Sequence, residues 1–184
     1  MSEQRIEFVF GEVTDQLRSE LKVFWKQHGQ AYQEELRSFW VGSSHSHALQ
    51  PADAPKKLIS RQPAAISRDQ SGAINGIVFV VLRELEVSLN LGTHAYFQRM
   101  YIIPESRNPR LANQLFRAFL QGFDRAVEQR DHRAKVLLAE NINPGLQKAP
   151  MRRYFARLGF QMLGCNQLGG EVWCKKLETR FSFQ

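Results

Sequence analysis

Acidic residues are the scarcer charge in this chain: 18 Asp and Glu stand against 25 Lys and Arg, a formal charge of +7 over 184 residues. That surplus admits a nucleic acid, an anionic surface or a phosphate-bearing cofactor, and does not choose among them. Long apolar runs are also lacking. The longest, Ile77 to Leu82, has six residues, where about 20 are needed to span a bilayer as a helix, so no membrane partner is expected. Only Cys165 and Cys174 are present, nine apart. They fit neither a zinc ladder nor a Cys-x-x-Cys redox pair and read as reduced thiols in late strands. Met1-Ser2-Glu3-Gln4-Arg5 is not the basic-then-apolar opening of a secretory leader, and a cytoplasmic setting is expected. With 43% hydrophobic and 23% charged residues, disorder, collagen and coiled coil are excluded as the main state, and the length suits one domain, 1–184.

Periodicity divides the rest. Ile6 to Phe10 alternates as a strand, and Gly11, Thr14 and Asp15 supply a turn and a helix N-cap. Leu17, Leu21, Phe24 and Trp25 form an apolar stripe that His28-Gly29 is expected to stop, and Tyr32, Leu36, Phe39 and Trp40 repeat it, giving two short helices in tandem. Val41 to Pro63, rich in Gly, Ser, His, Pro and Ala, reads as an internal loop or lid, and its His45 and His47 as loop residues with no metal cluster around them. Ala64 to Arg68, Ile74 to Leu82 and His94 to Ile103 read as an antiparallel meander. A helix follows from about Asn108 to Val127, with Ala112, Leu115, Phe116, Phe119, Leu120 and Phe123 on its apolar face. Lys135 to Glu140 is a strand, Met151 to Leu158 a short helix that Gly159 closes, and Phe160 to Cys165 and Gly170 to Lys176 the last two strands.

Within this order one string carries chemistry by itself. Ile102-Ile103-Pro104-Glu105-Ser106-Arg107-Asn108-Pro109-Arg110-Leu111-Ala112 joins a strand end to a helix start. N–H groups there have no intrahelical partner and the helix dipole favours an anion, so the turn is a natural cradle for a diphosphate, with Arg107 and Arg110 adding charge. Pro109 supplies no N–H, which thins the cradle. Two further strings accompany it: Asp69 to Phe79, which opens in the form Asp-x-x-Gly-x-Ile-x-Gly, and Met151-Arg152-Arg153-Tyr154-Phe155-Ala156-Arg157-Leu158-Gly159-Phe160.

With these three strings in this order, the chain resembles the GCN5-related N-acetyltransferase (GNAT) family over nearly its whole length. The first string looks like that family's Arg-x-x-Gly-x-Gly/Ala signature, with Arg110 in place of the first glycine, and the last is similar to its Tyr-x-x-Leu-Gly-Phe, with Phe155 in place of the tyrosine. The resemblance implies an α/β fold, a mixed sheet of about seven strands flanked by four helices, with acetyl-CoA or another acyl-CoA as co-substrate. It implies a diphosphate held by Arg107, Asn108, Arg110, Leu111, Ala112 and Asn113, and a pantetheine arm along Tyr101, Ile102 and Ile103.

Acyl transfer to an amine needs a base for the nucleophile and is helped by an acid for the departing thiolate. Since Phe155 cannot donate a proton, Tyr154 beside it is the candidate acid. His94, on the strand before the turn, and Glu140, where the next strand ends, are the candidate bases. Arg152, Arg153 and Arg157 cluster on the later helix, within expected reach of a cofactor phosphate, and the first helices with the Val41 to Pro63 loop would wall the acceptor site. The expected activity is transfer of an acyl group from CoA to a small-molecule, protein or peptide amine. The alternative is a catalytically inactive module of the same shape that binds a protein or a nucleic acid. A charged tRNA as docking partner and a homodimer both remain open.

Overall fold

The computed structural model describes residues 4–41, 58–86, 89–166 and 169–178. Arg5–Phe8 forms β1, and the Thr14 hydroxyl, accepting from the Leu17 N–H at 3.2 Å, caps α1, Asp15–Val41. The expected break at His28-Gly29 does not occur: α1 is one helix of 27 residues. Leu17, Leu21, Phe24, His28, Tyr32 and Leu36 step by three or four throughout, so the second stripe continues the first in phase, and the His28 ring packs on Phe24 at 5.0 Å.

Leu58–Arg68 is β2, which begins earlier than expected and takes Leu58 to Pro63 out of the supposed loop. A proline without an N–H disguises this strand in the sequence; the ladder accommodates it by a register shift between Pro63 and Ala65. Residues 42–57, with His45 and His47, lie outside the described residues. Then come β3 (Ile74–Glu84), β4 (His94–Ile102), α2 (Pro109–Arg125), β5 (Ala134–Asn141), α3 (Ala149–Arg157), β6 (Gln161–Cys165) and β7 (Glu171–Lys176). The described residues therefore hold three α-helices, not four, because the two expected N-terminal helices are one. The seven strands form one mixed sheet in the order β1-β2-β3-β4-β5-β7-β6, antiparallel except for β4 beside β5.

Alternation along the strands gives each face its own core. Ile77, Phe79, Val81 and Tyr101 pack under α1 with Leu17, Leu21, Phe24 and Tyr32. Val78, Val80, Tyr96 and Ile102 pack on the opposite face under α2 and α3, with Leu111, Leu115, Phe119, Phe123 and Phe155. Buried on both sides, β3 needs its unbroken apolar run. Cys165 is exposed, Cys174 is buried, and both are free thiols.

Two helix-interior glycines have opposite roles. A Cβ at Gly122 would fall 2.2 Å from the Phe8 ring, so the close seating of β1 on α2 requires glycine there. A Cβ at Gly29 would meet only Trp25, at an ordinary 4.0 Å. Denaturant unfolding is expected to show Gly29→Ala stabilising the fold by about 0.5–1 kcal/mol and Gly122→Ala destabilising it by about 1–3 kcal/mol.

The loop into β5 provides a pH test. The Asp131 N–H donates to the Tyr96 hydroxyl at 2.8 Å, and the Arg133 guanidinium, 2.7 Å from the Asp131 carboxylate, holds that group down to about 2. Since the folded value lies below the unfolded one, this contribution is complete above about pH 4 and is lost as pH falls toward 2. Asp131→Asn is expected to flatten the stability profile across that window and leave its shape near neutrality unchanged.

Candidate active site

β4 pairs with β3 along its whole length, from His94 opposite Glu84 to Ile102 opposite Gly76. On its other side the parallel ladder with β5 ends at Gln98 opposite Ala139, although β4 runs on to Ile102 and β5 to Asn141. The strands part, and a wedge opens between them. The Ile103 N–H donates to the Asn75 carbonyl at 3.0 Å, so by alternation Tyr101 also turns its backbone toward β3, whereas Met100 and Ile102 turn theirs into the wedge. Of Tyr101, Ile102 and Ile103, then, only Ile102 offers its backbone there, and Met100 joins it. The Ile102 carbonyl already accepts from Arg107 Nε at 2.8 Å, which leaves the Ile102 N–H and both Met100 groups.

The walls carry unusual side chains. Gln98 Oε1 and Asn141 Nδ2 are buried without a hydrogen-bond partner, one on β4 where pairing ends and one at the end of β5, both on the α2 and α3 face. Leaving such atoms unpaired costs about 1–3 kcal/mol each. An acceptor on one wall and a donor on the other suit a ligand that carries amides. On the α1 face, Arg99 of β4 and Glu140 of β5 form an ion pair across the parting.

The cradle follows at once. Pro104–Ser106 is a single 3-10 turn, tied to the sheet where Asn75 Nδ2 donates to the Ser106 hydroxyl at 3.3 Å. Asn108 caps α2, its Oδ1 accepting from the Leu111 N–H at 2.8 Å, and Pro109 is the first helical residue. The Ala112 N–H is bound in the helix to the Asn108 carbonyl, at 3.1 Å. Among the described residues the Arg110 N–H and its exposed guanidinium make no hydrogen bond or ion pair. Arg110, Asn113 and Arg117 share the α2 edge that faces α3 by their i, i+3, i+7 spacing. There the Tyr154 hydroxyl donates to Asn113 Oδ1 at 2.7 Å. Burial pushes the Tyr154 phenol above its usual range, against the opposing pull of Arg117.

Other expected residues are engaged elsewhere. Arg107 bonds the Ile102 carbonyl, pairs with Glu35 of α1 and lies over the Tyr101 ring, 5.5 Å from its centroid. It fastens α1 to the end of β4 in place of reaching for the turn. Arg152 pairs with Glu171, which is 1% exposed and also accepts from Trp173 Nε1 at 3.1 Å. His94 is buried at the opposite end of β4, its Nδ1 2.8 Å from the Thr93 hydroxyl. Four residues of strand, roughly 13 Å, separate it from Gln98 and the start of the wedge. Sequence reasoning missed Asn75, Glu171 and Arg99; a polar residue inside an otherwise buried strand was the available signal for Asn75.

No family model matches the chain, and no curated protein matches it in sequence. Among solved structures it is similar to a candidate acetyltransferase from Acinetobacter baylyi ADP1, 15% identical, with 100% of this chain and 97% of that one covered and a TM-score of 0.54. It is also similar to a candidate acetyltransferase from Salmonella typhimurium solved with acetyl-CoA, 13% identical, covering 100% and 99%, with a TM-score of 0.52. The chain has the mixed-sheet α/β fold of the GCN5-related N-acetyltransferases. None of its described helices is long and apolar enough to cross a membrane.

Because Gln98 and Asn141 leave polar atoms unpaired, Gln98→Met and Asn141→Leu are expected to leave the ligand-free protein as stable as before, or more stable by about 1 kcal/mol. A loss of stability in both variants by chemical denaturation would show that these side chains serve the fold.

Proposed function

We propose that the chain transfers an acyl group, acetyl in the simplest case, from acyl-CoA to an amine. The observation that carries this reading is the wedge: two strands that part while still extended, with unpaired backbone groups on Met100 and Ile102 and an orphaned acceptor and donor on Gln98 and Asn141. A pantetheine arm, extended and bearing two amides, matches that edge. Arg110, through its N–H and its guanidinium, holds the diphosphate, with Asn113 and Arg117 further along the same edge. Leu111 and Ala112 line the turn, and the Leu111 N–H joins it when the Asn108 side chain gives way. Arg107 supports the site by fixing the end of β4.

Bound acyl-CoA supplies an electrophilic carbonyl carbon and a thiolate leaving group. Glu140 at the wedge mouth takes the proton from the attacking ammonium, directly or through water, and Arg99 positions its carboxylate. The amine nitrogen bonds to the carbonyl carbon as the carbon–sulfur bond breaks. Tyr154, whose hydroxyl donates to Asn113 on the edge given to the diphosphate, lies at the other end of the pantetheine arm from sulfur, so the departing thiolate takes its proton from solvent. His94 has no part in this arrangement.

A second reading, a binding module without catalysis, draws on the thinned cradle: Pro109 has no N–H and Asn108 occupies that of Leu111. Calorimetry separates the two. Acetyl-CoA is expected to bind, Arg110→Ala to weaken it about tenfold or more, and Glu140→Gln to lower kcat by about 10²–10⁴-fold with little change in acetyl-CoA affinity. The absence of any heat with acetyl-CoA or longer acyl-CoA would sink the acyl-transfer reading, and a salt-dependent shift of RNA would then favour the module.

A further inference from the structure

The α1 face of the wedge concentrates positive charge. Arg61 on β2 stands opposite Val81, Arg83 on β3 opposite Ala95, and Arg99 on β4 opposite Phe79. The Arg61 guanidinium lies over the Phe79 ring, 4.2 Å from its centroid, and that of Arg83 lies over Phe97 at 5.1 Å. Each of these rings belongs to the rung one step nearer the wedge, so three guanidiniums converge beside its mouth. Glu140 pairs with Arg99, but no carboxylate among the described residues pairs with Arg61 or Arg83. Arg83 Nε is buried with no hydrogen-bond partner. Next to Arg61 an apolar recess of about 150 Å³ is lined by Leu21, Trp25, Ile77 and Phe79.

We propose that the acceptor amine also carries an anionic group, a carboxylate or a phosphonate, which Arg83 and Arg61 hold while the amine points to Glu140. The inference rests on the acyl-transfer reading of the wedge and names the substrate class of that same site. A simple cationic amine would meet two guanidiniums that no carboxylate among the described residues pairs with, Glu140 being held by Arg99, and be repelled. An anion satisfies both and gives Arg83 Nε the partner it lacks, in the planar fork geometry that guanidinium offers carboxylates and phosphonates. Burial, then the like charge of Arg99, push Arg83 below its usual range, so an anion beside it relieves a real cost. The same field disfavours the ammonium form, which helps the nucleophile lose its proton. In the transfer the ammonium gives up one proton, the nitrogen bonds to the carbonyl carbon, the carbon–sulfur bond breaks, and the second nitrogen proton balances the one sulfur gains.

The test is thiol release from acetyl-CoA with matched acceptors: L-amino acids against their carboxamides, and 2-aminoethylphosphonate against ethanolamine. The acids are expected to be favoured at least about tenfold in kcat/KM, and Arg83→Met to abolish the preference by raising KM for the acid about 10- to 100-fold while kcat changes little. Arg83→Lys is expected to restore part of it. Equal use of acids and amides, or an Arg83→Met effect equal on both, overturns the proposal. Calorimetry with acetyl-CoA alone tells the two failures apart: binding without anion preference defeats this inference only, whereas no acyl-CoA binding defeats the reading beneath it. In that second case direct titration of the protein with the same acids and amides decides the anion site, and equal heats for the two overturn it.

Discussion

The parting of β4 from β5 is the constraint on which the rest depends. Both strands continue past Gln98 and Ala139, and their further pairing would satisfy the Met100 and Ile102 backbones, so the open state needs an opposing cause. Several contacts hold β4 to the other side. It remains paired with β3 to its last residue, the Ile103 N–H is taken by Asn75, and Arg107 withdraws the Ile102 carbonyl toward α1 through its pair with Glu35. On the far wall, Asn141 lies opposite Glu171, whose buried carboxylate is fixed by Arg152 of α3 and by Trp173. Each strand is thus anchored to its outer neighbours and its own helix, and the wedge is what remains between two well-tied halves of the sheet.

That arrangement explains which parts of the sequence could be read. The face of α2, the two-sided burial of β3 and the turn at Asp69 to Gly72 depend on neighbours within a few residues, and local patterns report them. Gly29 reads locally as a stop, yet the stripe through His28 never loses phase, so α1 is one helix. The start of β2 was missed because Pro63 cannot donate to a ladder, and only the partner strand reveals the register shift that admits it. Both errors set a single-residue rule against a tertiary one, and the tertiary contact decided each.

The site divides in the same way. The turn from Pro104 to Ala112 is contiguous, so the end of the strand and the start of the helix near Asn108 were legible. Arg107 and Arg152 also belonged to recognisable strings, but their partners, Glu35 and Glu171, are 72 and 19 residues distant, and nothing in one dimension indicates that these carboxylates will claim them. Placing His94 and Glu140 relative to the wedge likewise required the register, since the strand that carries His94 runs away from the wedge at that end.

The positive excess acquires a geometry from this. Arg107 and Arg152 are spent on internal carboxylates and hold the scaffold. Arg110 and Arg117 lie on the α2 side of the sheet, while Arg61, Arg83 and Arg99 lie on the α1 side. A single polyanion draped over the surface would not need two basic regions on opposite faces of one sheet, joined only through a gap between strands. Two separate anions meeting from opposite sides would need them, one extended along the turn and the wedge, the other seated among the aromatic rings beneath α1. The Arg99–Glu140 pair stands where the two would meet, and there the sheet places its only inter-strand ion pair bridging β4 and β5 among the described residues. A surplus that composition alone left open among partners divides into two local regions, one on each face of the sheet, with the Arg99–Glu140 pair at the gap between them.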